Sequence, residues 1–133
     1  MARFLLDTDI CSYVIRDRPA KVRARMNAVP IGEQAISSVT YAELMYGVER
    51  SSKPSTNRAI VSRFVAHLAV LAWDANAAEH YADIRAWLDR SGTPIGAMDL
   101  MIAAHARSLG AAVATNNLRH FERVPRLRVE NWA

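Results

Sequence analysis

The sequence of 133 residues holds a single cysteine, Cys11, so no disulfide can close within the chain. Lysine is nearly absent too: Lys21 and Lys53 are the only two among 17 basic residues, and the rest are arginine. No stretch approaches the ~18–20 uninterrupted apolar residues of a membrane span. The best candidate, Phe64 to Ala72, is short and contains His67. Only Phe4, Leu5 and Leu6 run together before Asp7, whereas a secretory leader needs an apolar core of roughly 7–15 residues. No membrane association and a cytoplasmic location are therefore expected. Repeats, low-complexity tracts and internal linkers are also missing, and with 51% hydrophobic and 23% charged residues the chain is not of disordered composition. The expectation is one globular domain over residues 1–133.

What is present in excess is positive charge. Seventeen basic against 13 acidic residues give a net charge of +4. The planar arginine fork suits phosphates and bases, which points weakly to a polyanionic partner.

Short apolar runs alternate with helical patterns. Arg3 to Leu6 reads as a buried strand ending at Asp7. Helices are expected over Thr8–Asp17, Ala20–Ala28, Tyr41–Arg50 and Pro54–His67, with Pro19, Pro30 and Pro54 as punctuation. Further strands are expected at Gln34–Ser38, Val70–Trp73 and Ala111–Thr115, with an edge strand near Arg126–Val129. Asp74 opens a long helix that Gly92 and Pro94 end, and Asp99 opens another that Gly110 ends. Strands separated by helices imply an α/β fold around a mostly parallel sheet covered on both faces.

Function in such sheets collects where strands end and helices begin. Asp7 with Asp9, Glu43, Asp99, and Asn116 with Asn117 all occupy such places. Each has a structural alternative. Asp7 and Asp99 suit helix N-caps, and Asp9 suits a first helical turn. Thr40 and Glu43 fit a capping box, and the asparagine pair fits a turn. Convergence alters the balance, because three carboxylates brought to one sheet edge repel unless a cation neutralises them. Oxygen donors without paired His or Cys suit Mg²⁺ or Mn²⁺ rather than zinc. His67, His80, His105 and His120 are scattered without metal-ligand spacing and read as structural or solvated. Setting aside four of the 13 acids leaves nine against 17 basic residues, a distribution suited to metal-dependent phosphodiester hydrolysis.

These residues carry a resemblance. Leu6-Asp7-Thr8-Asp9-Ile10, Ser38 through Glu43 to Gly47, Gly96 through Asp99 to Ala104, and Ala114-Thr115-Asn116-Asn117 through Phe121 resemble PIN-domain ribonucleases. More narrowly they resemble the VapC toxins of bacterial type II toxin–antitoxin systems, over essentially the whole chain. The resemblance implies a three-layer α/β/α sandwich around a mostly parallel sheet of four to five strands. Asp7, Glu43 and Asp99 match the family's acidic triad and would hold one or two Mg²⁺ or Mn²⁺ ions for hydrolysis of RNA. Asn117 stands where many PIN domains have a fourth acid, which weakens the case for a second metal position. Thr8 and Thr115, with Asp9 and Asn116, would line the pocket. The motifs look like the enteric branch that cleaves initiator tRNA in its anticodon loop. A VapB-type antitoxin is implied as partner, crossing the first helices, where Cys11, Tyr13, Val14, Val39 and Met45 could form a groove. A homodimer and a larger complex with antitoxin are implied as well.

Among the remaining features, Arg16, Arg18, Lys21, Arg23 and Arg25 form one basic cluster, and Arg119, Arg123, Arg126 and Arg128 another. Either could meet RNA phosphates or simply face solvent. Gly47 reads as a site of close packing, Trp73 and Trp87 as core, and Trp132 as a tail anchor. Two rivals stay open. One is a non-catalytic RNA- or protein-binding module whose acids only cap helices. The other is a haloacid-dehalogenase-like phosphatase, suggested by Asp7-Thr8-Asp9. That class needs a late catalytic lysine, yet Lys21 and Lys53 both precede the third candidate strand.

Overall fold

The computed structural model describes all 133 residues. In chain order the elements are β1 (Phe4–Leu6), α1 (Thr8–Arg16), α2 (Ala20–Ala28), β2 (Gln34–Ser37), α3 (Ser38–Glu49), α4 (Pro54–Val65), β3 (Ala69–Leu71), α5 (Ala75–Ser91), α6 (Ala97–Leu109), β4 (Ala112–Thr115), α7 (Leu118–Phe121) and β5 (Val129–Asn131). The strands form one sheet in the order β3-β2-β1-β4-β5, and every pairing is parallel. Leu5 at the centre lies opposite Ala35 on one side and Val113 on the other.

Side-chain alternation along the strands divides the core in two. Phe4, Leu6, Ile36, Ala112 and Ala114 pack with Ile10 and Val14 of α1, Val22 of α2, Leu44 of α3 and Val61 of α4. Leu5, Ala35 and Val113 point the other way, against Ile84 and Leu88 of α5 and the apolar face of α6. Helices therefore cover both faces, giving the α/β/α layering. No helix is long and apolar enough to cross a membrane.

Several boundaries follow from single residues. Asp7 caps α1, its Oδ1 accepting from the Thr8 N–H at 2.7 Å. Asp74 caps α5 by accepting from the Ala77 N–H at 3.0 Å. Gly92 ends α5 in the left-handed conformation at φ 69°, which a side chain would oppose. Strand β5 starts at Val129, three residues beyond the expected Arg126, because Arg126 itself sits at φ 58° and cannot begin an extended run. Trp132 is buried and packs on Phe4 with ring centroids 5.2 Å apart, so the tail is anchored in the core.

Two expectations about the core are corrected. Trp87 is 41% exposed, because the buried stripe of α5 runs through Ala77, Ile84 and Leu88 and leaves Trp87 on its flank. Gly47 permits no close approach: a Cβ added there would meet nothing within 4 Å. The buried His105 is structural, with Nδ1 2.8 Å from the Ser37 hydroxyl, and its burial holds its pKa below the usual imidazole range.

Candidate active site

The strand order places β1 between β2 and β4, so the chain leaves β1 in one direction and later returns on its other side. In open parallel sheets such a reversal opens a crevice beyond the strand ends. Asp7 is the first residue past β1 and Asn116 the first past β4. Helix α3 brings Glu43 to this edge from β2, and the first turn of α6 brings Asp99.

Asp7 is the buried centre, only 3% exposed. Its Oδ1 is taken by the α1 cap, and its Oδ2 accepts from the Thr115 hydroxyl at 2.8 Å. The Thr115 oxygen in turn accepts from the Asn117 N–H at 2.8 Å, which sets the direction of the chain leaving β4. Burial is the main force on Asp7 and pushes its pKa from 3.8 up to about 7, with the negative charges of Asp99 and Asp9 adding to the rise. Hydrogen bonds from Thr115 and Thr8 oppose the shift without cancelling it.

Glu43 corrects the capping-box expectation. Helix α3 begins at Ser38, and its cap is Ser37, whose hydroxyl accepts from the Val39 N–H at 3.1 Å. Thr40 is therefore inside the helix, its buried hydroxyl without a partner. Glu43 is released to the sheet edge, where its Oε1 accepts from the Thr8 hydroxyl at 2.5 Å. Asp99 does not cap α6 either, because Gly96 occupies that position. The Asp99 carboxylate lies in the first turn, where the helix dipole favours negative charge. Its Oδ2 stands 3.4 Å from Asn117 Nδ2 and 3.1 Å from His120 Nδ1.

Asp7, Thr8, Glu43, Asp99, Thr115 and Asn117 thus meet at one edge. Asp9 is exposed in the first turn of α1 and faces the adjoining cleft. Asn116 turns outward, its amide donating to the Tyr13 hydroxyl at 2.9 Å. The donor chemistry fits a hard divalent cation: three carboxylates, with the charge on Asp7 made costly by burial and like charge and so relieved by a cation, and hydroxyl and amide oxygens around them. In the arrangement seen, no three of the His, Cys, Asp and Glu side chains form a ligating group, since Glu43 is turned to Thr8 and Asp99 to Asn117 and His120.

The arginines divide by their partners. Arg23 bonds Asp17 at 2.8 Å and the Val14 carbonyl at 2.8 Å, and Arg25 bonds Glu130 at 2.8 Å. Arg123 donates to the Pro94 carbonyl, Arg128 to the Gly110 carbonyl and Arg126 to Asp83. Each of these five has an acidic or backbone partner, while Arg23, Arg25 and Arg126 keep about half or more of their side chains exposed. Arg119 is exposed on α7, two residues beyond Asn117, and Arg18 is exposed beyond α1. Arg16 lies over the Tyr13 ring, 5.7 Å from its centroid, and lines the cleft.

That cleft, of about 980 Å³, runs from Thr8, Asp9 and Glu43 at one end along Ile15, Tyr46, Gly47 and Ile60 between α1, α3 and α4. Of the groove expected from Cys11, Tyr13, Val14, Val39 and Met45, Cys11, Val14 and Val39 are buried in the core, and Tyr13 and Met45 are partly buried against it. Cys11 is fully enclosed, and burial pushes its thiol well above the usual range, so it is inert.

One residue of the site escaped the sequence reading. His120 Nδ1 lies 2.8 Å from Asn117 Nδ2 as well as 3.1 Å from Asp99 Oδ2. The available signal was its position three residues after Asn117, which shares a face only if the intervening residues are helical. The four-residue α7 that makes them so has no capping or periodic signature.

A model of the PIN domain matches residues 4–127. The chain is similar to the tRNA(fMet)-specific endonuclease VapC of Shigella flexneri, at 50% identity over 133 residues, covering 100% of both chains. Among solved structures it resembles DNA-bound VapBC from Salmonella typhimurium, with a TM-score of 0.94, 47% identity and 100% of both chains covered. VapBC2 from Rickettsia felis, bound to a DNA fragment from its promoter, superposes with a TM-score of 0.90 at 34% identity over 98% of each chain.

Proposed function

Since the chain belongs to the PIN-domain family, and within it to the VapC toxins, we propose that it is a Mg²⁺- or Mn²⁺-dependent endoribonuclease that cleaves tRNA, initiator tRNA foremost, and is held inactive by a VapB-type antitoxin. The observation that carries this reading is the buried Asp7, its carboxylate pushed towards neutrality at an edge it shares with Glu43, Asp99 and Asn117. A folded protein that only binds RNA gains nothing from such a costly charge.

Asp7, Glu43 and Asp99 would hold one or two divalent ions. PIN-domain nucleases are typically metal-dependent, and a cation here supplies water activation and neutralisation of charge on the scissile phosphate. The chain's own groups do the positioning. Thr115 fixes the Asp7 carboxylate, Thr8 holds Glu43 beside it, and Asn117 and His120 hold Asp99. Arg119, with Arg16 and Arg18 on the other flank, receives backbone phosphates. Single-stranded loops are the favoured target because their phosphates and splayed bases are accessible.

The cleft beside Asp9 and Glu43 is the surface for the antitoxin. Its apolar floor suits the apolar face of a peptide segment, and the two acids at its end suit a basic side chain. A homodimer, a larger complex with antitoxin and a cytoplasmic location complete the reading.

The test is incubation of antitoxin-free protein with initiator and elongator tRNAs, with Mg²⁺ or with chelator. Cuts confined to the Mg²⁺ samples and to the initiator tRNA are expected. Binding without cleavage by folded protein would favour the binding-module reading instead. Arg119→Ala is expected to weaken tRNA binding by several fold for every tRNA alike and to lower the slope of log K against log salt by about one, measured by binding titration at several salt concentrations.

A further inference from the structure

Asn117, His120 and Asp99 place three polar atoms in a near-equilateral triangle. The separations are 2.8 Å from Asn117 Nδ2 to His120 Nδ1, 3.1 Å from His120 Nδ1 to Asp99 Oδ2, and 3.4 Å from Asn117 Nδ2 to Asp99 Oδ2. Adjacent ligands of an octahedral ion at about 2.1–2.2 Å stand about 3.0–3.1 Å apart, so the triangle has the size of one face of such an octahedron. The Asn117 amide donates to the Asp99 carboxylate oxygen and also lies within hydrogen-bond reach of the imidazole nitrogen. With His120 in the tautomer protonated at Nε2, its Nδ1 offers a lone pair beside the Asp99 oxygen, and a cation placed there would meet both. A half-turn of the amide puts Oδ1 where Nδ2 stands and converts the third corner from donor to ligand. Asn117 immediately precedes α7 and His120 lies on it three residues later, while Asp99 comes from α6, so two elements fix the face.

We propose that Asp99, Asn117 and His120 form a cation seat of mixed nitrogen and oxygen donors, with His120 as a direct ligand, and that this seat favours Mn²⁺ over Mg²⁺. The proposal rests on reading the carboxylate edge as a divalent-cation site and specifies one position within it. A single formal charge and an imidazole ligand are a poor match for Mg²⁺, which prefers carboxylate and water. Mn²⁺ accepts imidazole more readily. The seat also supplies what a fourth carboxylate in place of Asn117 would have supplied, using the residue one helical turn later.

Mn²⁺ alone is the probe, added to the full chain and followed by electron spin-echo envelope modulation, which detects a directly bound nitrogen. The wild type is expected to show ¹⁴N modulation from one imidazole. His120→Ala is expected to lose that modulation and bind Mn²⁺ at least about tenfold more weakly by calorimetry, with Mg²⁺ affinity changed far less. The His120 side chain is 37% exposed, so its removal leaves the core intact. As a second variant, Asn117→Asp adds a charged oxygen at the same corner and is expected to keep the modulation and tighten Mn²⁺ binding. Mn²⁺ bound by the wild type without ¹⁴N modulation would overturn the His120 seat and leave the carboxylate site standing. No Mn²⁺ binding at all would overturn both.

Discussion

Replacing Asp7 with asparagine is expected to abolish tRNA cleavage and, in the same molecule, to raise the melting temperature of the metal-free protein above pH 7. The loss of activity is expected to be about a thousandfold or more, since in the proposed mechanism several kcal/mol of transition-state stabilisation would pass through this carboxylate and each 1.36 kcal/mol is tenfold. The gain in stability follows from linkage. Asp7 has a pKa of about 7 in the folded chain, against 3.8 as its ordinary value. Between these values the folded protein holds a proton that the unfolded chain has released, so wild-type stability falls as pH rises through the window and levels off above it. The cost at pH 8 has a ceiling on the order of 4 kcal/mol.

Asparagine carries no charge to bury, and its Oδ1 can still accept from the Thr8 N–H, so the α1 cap survives. Thermal melts in chelator should coincide near pH 4 and separate towards pH 8, with the variant the more stable. Adding Mg²⁺ should raise the wild-type melting temperature and leave the variant's nearly unchanged. A wild type as stable as Asp7→Asn at pH 8 in chelator would contradict the account of a destabilising buried charge.

The second large effect concerns the cleft. Gly47→Leu is expected to leave tRNA cleavage within about threefold of wild type while weakening inhibition by the antitoxin about a hundredfold, the loss of one well-packed anchor position. A Cβ at Gly47 meets nothing within 4 Å, so the new side chain stands in the cleft and not in the core. Leucine also favours the helix over glycine by about 0.5–1 kcal/mol, so α3 should be strengthened. Cleavage assays with graded antitoxin measure the effect. Unchanged inhibition would place the antitoxin elsewhere on the surface.

Much of this arrangement was legible in the sequence because single residues with strong backbone preferences mark the boundaries. Asp7, Asp74, Gly92 and Gly110 start or stop helices for local reasons, and the helices they bound match the expectation within a residue or two. The start of α3 was not legible. Ser37, Ser38 and Thr40 all offer hydroxyls, and the local pattern favours Thr40 with Glu43 three residues later. What decides is tertiary: Ser37 is held by His105, 68 residues away, and Glu43 by Thr8, 35 residues away. His120 was hidden for the same reason, since its partner Asp99 is 21 residues back on another helix. The partners of the arginine clusters were not legible either, because Arg23, Arg123 and Arg128 donate to backbone carbonyls, which no pattern of side-chain types reveals.

The central claim is metal-dependent hydrolysis at the edge formed by Asp7, Glu43 and Asp99, and the chemistry of the cut ends tests it most directly. Internal attack by a ribose 2′-hydroxyl leaves a 2′,3′-cyclic phosphate, whereas attack by water leaves none. Initiator tRNA cleaved by the wild type in Mg²⁺ should carry no cyclic phosphate, and Asp99→Asn or chelator should remove the products altogether. Cyclic ends, or equal cleavage by Asp99→Asn in chelator, would contradict the account.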